Sequence, residues 1–283
     1  MGRRCMGRRG EKNVPLGGGR GHGKRHRVRR VLLGIAVALV AAVLALGLGI
    51  HICAASYSHA TATARKALAT SSDVRVKRLD SGDVLFVPGD AGRVSAALVF
   101  YPGGKVEATA YAPLLRRLAK RGIACALTQM PENLAVLAPN AADRSRGELE
   151  DALRAAGRDP QDVPWMMGGH SLGGAMAASY AGIHASEYQG LVLLAAYSSG
   201  DISKSGLRVL LVSGTRDGVL NREKYKSCLA NLPEDYREVQ IKGGNHAGFG
   251  SYGRQDGDRK ATISGGEQVE ETVQAIVSLV GTL

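Results

Sequence analysis

Ser171 stands in Gly169-His170-Ser171-Leu172-Gly173, a serine between two glycines in the spacing G-x-S-x-G. A serine hydroxyl becomes a useful nucleophile only when a base takes its proton and an acid orients that base. Asp217, in Ser213-Gly214-Thr215-Arg216-Asp217-Gly218, and His246, in Gly243-Gly244-Asn245-His246-Ala247-Gly248-Phe249-Gly250, supply the missing types. Acyl transfer through Ser171, with His246 as base and Asp217 as its acid, is the chemistry this set allows. Asp201 is the alternative acid. His170 sits inside the serine turn and is poorly placed to orient towards Ser171. His184 falls near a helix end, and His51 and His59 lie beside a long apolar segment. The amide of Leu172, at the start of a helical run, can face a developing oxyanion. A second amide is expected from Gly104 or Lys105, in the glycine-bearing loop Tyr101-Pro102-Gly103-Gly104-Lys105-Val106. The Lys105 side chain reads equally well as a solvated loop lysine and as an attraction for an acidic substrate.

Positioning these residues requires strands that end where they stand. Apolar runs predict strands over Val74–Leu79, Val84–Val87, Ala96–Tyr101, Ile123–Leu127, Trp165–Gly168, Leu191–Ala196, Leu207–Ser213 and Tyr236–Ile241. Helical spacing falls between them at Tyr111–Arg121, Asn133–Leu137, Glu148–Ala156, Leu172–Ala181 and Arg222–Asn231, and a closing helix is expected over Gln268–Val280. Strands and helices in alternation, with continuously apolar strands, imply an α/β fold. Its sheet should be mostly parallel, with helices on both faces. Ligands of such sheets sit beyond the carboxyl ends of the strands. Ser171, Asp217 and His246 each follow a strand directly.

The stretches YPGGKVEATAYAPLLRRLAKRG, MPENLAV, GGHSLGGAMAASYA, SGTRDG and GGNHAGFGSYGRQDGDRKATIS resemble the α/β-hydrolase superfamily. They are most similar to its dienelactone-hydrolase-related branch, the family 5 group, from about residue 84 to the C-terminus. The resemblance implies an eight-stranded sheet and a triad at Ser171, Asp217 and His246, in the chain order Ser, Asp, His. It does not carry over the dienelactone reaction, which uses a cysteine nucleophile where this chain has Ser171. A small-molecule acyl ester is the expected substrate, with no metal or organic cofactor implied. Only about ten residues separate Ala196 from Leu207, too few for a lid, so the site is expected to be open to small or surface-presented esters. A narrow lid from residues 129–162 is the alternative. A non-catalytic binding or cell-surface protein on the same fold is the alternative function, since fold alone does not set function.

Of the formal net charge of +12, +10 falls within residues 1–30, which hold eleven Lys or Arg and one Glu. The remainder is nearly neutral and aromatics are only 5%, so a nucleic-acid partner is not expected. The run Val31–Ile50 is apolar, uncharged and long enough to span a hydrocarbon core. The cluster Lys24–Arg30 before it places the tail in the cytoplasm and the rest of the chain outside. An uncleaved single-pass anchor in the cell membrane is the favoured reading. A signal peptide cut near Ala54-Ala55-Ser56 would instead release the protein. The expected organisation is a disordered basic tail over 1–30, a transmembrane segment over 31–52, a stalk over 53–73 and a hydrolase domain over 74–283. Cys5, Cys53, Cys125 and Cys228 share no metal-type spacing. Cys125 and Cys228 read as buried thiols, with a disulfide between them as the alternative. Nothing in the sequence sets an oligomeric state.

Overall fold

The computed structural model describes Met1 and residues 22–283 in two units. Of the tail expected to be disordered, 1–30, residues 2–21 and with them the state of Cys5 lie outside the described residues, while residues 22–30 are helical. In the first unit, Met1–Ile52, the dominant element is helix α1, His22–Ala55. Its stretch Arg29–Gly49 has a mean hydropathy of 2.9 and exposed side chains. At about 1.5 Å per residue it reaches about 30 Å, enough to cross a membrane. A membrane anchor and a signal sequence both fit that description.

The second unit, Cys53–Leu283, is built on an eight-stranded sheet. Its strands are β1 Val74–Arg78, β2 Val84–Pro88, β3 Ala96–Tyr101, β4 Ile123–Leu127, β5 Trp165–His170, β6 Gly190–Leu194, β7 Arg208–Gly214 and β8 Arg237–Ile241. They lie in the order β1-β2-β4-β3-β5-β6-β7-β8. From β4 to β8 every pairing is parallel, while β1 and β2 are antiparallel additions at one edge. The inner parallel strands β3, β4 and β6 are apolar throughout because both faces are covered. In β3, Ala96, Leu98 and Phe100 join one core, and Ala97, Val99 and Tyr101 join the other. The edge strands carry charge instead, Arg75, Lys77 and Arg78 on β1 and Arg237 and Glu238 on β8, which discourages pairing with another chain.

Helices α3 Ala112–Lys120 and α7 Gly265–Val280 cover the first face. Helices α4 Ala141–Ala155, α5 Ser171–Ile183 and α6 Arg222–Cys228 cover the second. Leu114, Leu115 and Leu118 of α3 point inward as their spacing predicts, each burial contributing about 2 kcal/mol. Helix α4 begins seven residues before the predicted start at Glu148. Its inward positions there are Ala142 and Ser145, and Ser145 is satisfied by the buried carboxylate of Asp83 at 2.6 Å. The predicted helix around Asn133–Leu137 is a pair of short 3₁₀ turns, Pro131–Asn133 and Ala135–Leu137.

The segment expected as a stalk is partly structural. Helix α2, Ala62–Lys66, buries Ala64, and Ala60 is buried beside it in the core shared with α3 and α7. Ser58 pairs with Val106: its N–H donates to the Lys105 carbonyl at 2.8 Å, and its carbonyl accepts from Glu107 N–H at 2.9 Å. The folded unit therefore includes residues well before 74. Cys125 and Cys228 are both free thiols, the first buried and the second half-buried.

Candidate active site

Strand β5 runs into α5 without a connecting residue, since His170 ends the strand and Ser171 begins the helix. So abrupt a turn forces Ser171 to φ +52°, a region that a side chain with a Cβ enters only at a cost of about 1–3 kcal/mol. Close packing behind the turn holds it. A Cβ on Gly173 would lie 2.1 Å from the Pro102 carbonyl oxygen, so glycine there lets α5 pack against the loop after β3. The result is a half-exposed hydroxyl at the carboxyl edge of the sheet.

Asp217 follows β7 and His246 follows β8, and both side chains are buried. His246 Nδ1 donates to Asp217 Oδ2 at 2.9 Å. A carboxylate only accepts, so that bond places the imidazole proton on Nδ1 and leaves Nε2 as the basic nitrogen. Nε2 has no hydrogen-bond partner. Asp217 Oδ1 accepts from the amides of Val219 and Leu220, each at 2.8 Å. Burial works to raise the Asp217 carboxyl. The hydrogen bond and charge of His246 and the two amides outweigh it, and the group is held below the usual carboxylate range.

Ser171 and His246 share the wall of one cavity of about 270 Å³. The rest of the lining is largely apolar, with Leu172, Tyr197, Val219 and Leu220 as its larger apolar parts and Asn221 beside them. Hollows of similar size elsewhere, such as one of about 330 Å³ beside Asp73, Arg93 and Lys120, contain no such pair of groups. Among the described residues, no cluster of His, Cys, Asp and Glu could hold a metal ion. The β6–β7 connection, Ala195–Leu207, carries no helix over this cavity.

The structure brings Ser171, Asp217 and His246 to one place, and it separates the alternatives from them. Asp201 is exposed and accepts from Ser203 N–H in its own turn at 2.9 Å. His184 pairs with Glu187, and His59 lies 3.6 Å from Glu107. Of the expected oxyanion amides, Leu172 N–H belongs to the first turn of α5, where no earlier helical carbonyl can accept it. Gly104 lies against the Leu172 side chain. The Lys105 amide is not available, because it donates to the Asn133 carbonyl at 2.9 Å. Its ammonium group reaches Ser56 Oγ at 3.1 Å.

Three supports went unread in the sequence. Gln268, fully buried on α7, accepts from Asn245 N–H at 3.0 Å through Oε1 and donates to the Asn245 carbonyl at 2.7 Å through Nε2. It clamps the residue before His246. The available signal was a glutamine on the same helix face as Thr272 and Ile276, where apolar residues are the rule. Tyr111 is the second. Gly103 N–H donates to its hydroxyl oxygen at 3.0 Å, and its hydroxyl donates to His170 Nδ1 at 2.7 Å. The third is Asp258, whose carboxylate accepts from the amides of Gly218 and Ala247.

His170 lies with its ring 4.6 Å from that of His246. Burial, reinforced by His246, pushes its pKa well below the ordinary 6.5, so the folded protein keeps it neutral. Below about pH 6.5 the unfolded chain gains a proton at residue 170 that the folded chain refuses. Stability is then expected to fall with acidification, by up to about 1.4 kcal/mol per pH unit from this group. Unfolding in detergent between pH 7.5 and 5.5 checks this. A residue-170 imidazole that titrates near 6.5 in the folded protein would contradict it.

Residues 97–270, well over half of the chain, match the alpha/beta hydrolase family. A search of curated proteins found no matching relative. Among solved structures, a hyperthermophilic esterase from the archaeon Pyrobaculum calidifontis superposes with a TM-score of 0.52 at 17% identity, covering 77% of this chain and 86% of that one. Thermogutta terrifontis esterase 2, phosphoramylated by tabun, gives 0.49 at 17% identity over 76% and 96%. A CIB-like hydrolase from Thermoplasma acidophilum gives 0.47 at 16% over 74% and 99%. With its eight-stranded sheet and the matched residues, the chain belongs to the alpha/beta hydrolase family.

Proposed function

We propose that the protein is a membrane-anchored serine hydrolase acting on carboxylic esters. The observation that carries this reading is the buried Asp217–His246 bond, with its basic nitrogen unpaired and Ser171 on the same cavity wall. His246 Nε2 takes the Ser171 proton as the hydroxyl attacks the ester carbonyl. The Leu172 and Gly104 amides stabilise the oxyanion. The imidazolium then protonates the departing alcohol, and water, activated by the same nitrogen, releases the acid. Asp217 favours the charged imidazole through both steps. The apolar lining suits an uncharged acyl group, and about 270 Å³ suits a small one. Helix α1 serves as the anchor. The basic cluster Lys24–Arg30 at its N-terminal end stays in the cytoplasm, and the hydrolase faces outward.

A fluorophosphonate probe tests the reading on full-length protein in membranes. Covalent label on Ser171 is expected, on a species that stays in the membrane pellet after an alkaline wash. Label on another residue, or none, would remove the serine assignment. Release by the wash would replace the anchor with a cleaved signal.

A further inference from the structure

One carboxylate outside the proposed triad touches both loops that carry its acid and base. Asp258 Oδ1 accepts from Gly218 N–H, the residue after Asp217, at 3.0 Å. Its Oδ2 accepts from Ala247 N–H, the residue after His246, at 2.9 Å. Its own segment is pinned at both ends of this contact. Arg259 N–H also donates to Asp258 Oδ1 at 2.9 Å, Arg259 Nη2 donates to the Asp217 carbonyl at 3.1 Å, and Asn245 Nδ2 donates to the Arg259 carbonyl at 2.8 Å. The approach is close enough to need glycine opposite, because a Cβ on Gly218 would lie 2.6 Å from the Gly257 carbonyl oxygen.

On their far side the two loops are already joined through the backbone. Thr215 N–H donates to the Ile241 carbonyl at 3.0 Å, and Arg216 N–H to the Gly244 carbonyl at 2.8 Å. Those bonds fix the loops where they leave β7 and β8. At the outer ends, where the functional side chains stand, no backbone bond joins the loops, and they are held by the Asp217–His246 bond and by the Asp258-Arg259 segment. Asp258 closes that outer end. Gln268 holds His246 from the residue before it and Asp258 from the residue after it, so the imidazole is fixed from both directions.

We propose that Asp258 is a positioning residue whose carboxylate sets the separation of Asp217 and His246. It touches neither substrate nor the reacting atoms and acts through the two loops it bridges. An ionised carboxylate is the group the geometry requires, since three amide N–H groups point at its two oxygens and a charged acceptor binds them more tightly than a neutral one. An asparagine has nearly the same shape but must turn its NH₂ towards one of those donors, so one arm of the bridge breaks while the volume is kept. This inference rests on the serine-hydrolase reading.

The test compares Asp258→Asn and Asp258→Ala with Asp256→Asn, which removes the same charge from an exposed position of the same segment. All are made in the full-length protein. Misplacement of a catalytic group by about 1 Å costs about 10²-fold in rate. Both Asp258 variants should lose about 10- to 100-fold in kcat with little change in KM, and Asp256→Asn should lose nothing. The downfield proton signal of the His246–Asp217 hydrogen bond should shift or broaden in the Asp258 variants only. A variant that merely unfolds would lower the folded fraction, and active-site titration with fluorophosphonate corrects kcat for that. Unchanged kcat and an unmoved proton signal in Asp258→Asn and Asp258→Ala would overturn the proposal. Wild-type protein that takes no label on Ser171 would overturn the reading beneath it, and the two failures are separate.

Discussion

Ser171→Ala should lower ester turnover by about 10⁶-fold, close to the level left by binding and oxyanion contacts alone. The size follows from position. The hydroxyl shares the wall of the cavity with a buried imidazole whose Nε2 has no hydrogen-bond partner, so no other side chain occupies that base. The fold should hardly notice. Ser171 is half exposed, its side chain makes no hydrogen bond, and alanine meets the same cost at φ +52° as serine does. Stability is expected to stay within about 0.5 kcal/mol of wild type. Hydrolysis of a p-nitrophenyl acyl ester, with thermal unfolding alongside, reads both quantities. A variant that keeps even a tenth of the activity would require a different nucleophile.

Asp217→Asn should cost about 10⁴-fold in kcat with KM nearly constant. The hydrogen bonds around the carboxylate decide this in advance. Oδ1 accepts two amides, from Val219 and Leu220, at 2.8 Å each. An asparagine must put its oxygen there, because its NH₂ cannot accept. The NH₂ then faces His246 Nδ1, which must present a lone pair to it, and the imidazole proton moves to Nε2. The nitrogen proposed to take the Ser171 proton becomes a donor and ceases to be a base. Packing and both amide caps survive, so the variant should fold normally. A loss below 10-fold would mean that Asp217 does not orient the base.

Most of the sheet was legible because buried parallel strands write themselves as unbroken apolar runs. Ala96–Tyr101 and Ile123–Leu127 begin and end where their residues change character. The direct strand-to-helix turn at Ser171 was legible for a steric reason, since only small residues let a strand reverse directly into a helix. What stayed hidden was polar. The start of α4 was missed because its inward face offers Ala142 and Ser145, and an inward serine looks like surface until Asp83 is found beneath it. The start of α7 was missed behind Gly265 and Gly266. There the stop signal of two glycines is overridden by the Ser264–Glu267 capping box, bonds of 3.2 and 2.7 Å. That Lys105, one of the two expected amide donors, is taken up was hidden because its acceptor, the Asn133 carbonyl, lies in a 3₁₀ turn that no periodicity announces. Asp258 and Gln268 are long-range partners, and one sequence holds no record of which loops they meet.

The pairing of Ser58 with Val106 also bears on where this chain can be cut. Two residues upstream of Val106 lies Gly104, so the scissors of a protease, or of a cloning scheme, that fell at residue 70 would remove a neighbour of the proposed oxyanion loop along with Ala60 and Ala64. The released fragment would contain every proposed catalytic side chain and still lack the strap beneath one of its amides. Shedding an intact enzyme requires a cut upstream of Ser56, in the few residues that end α1.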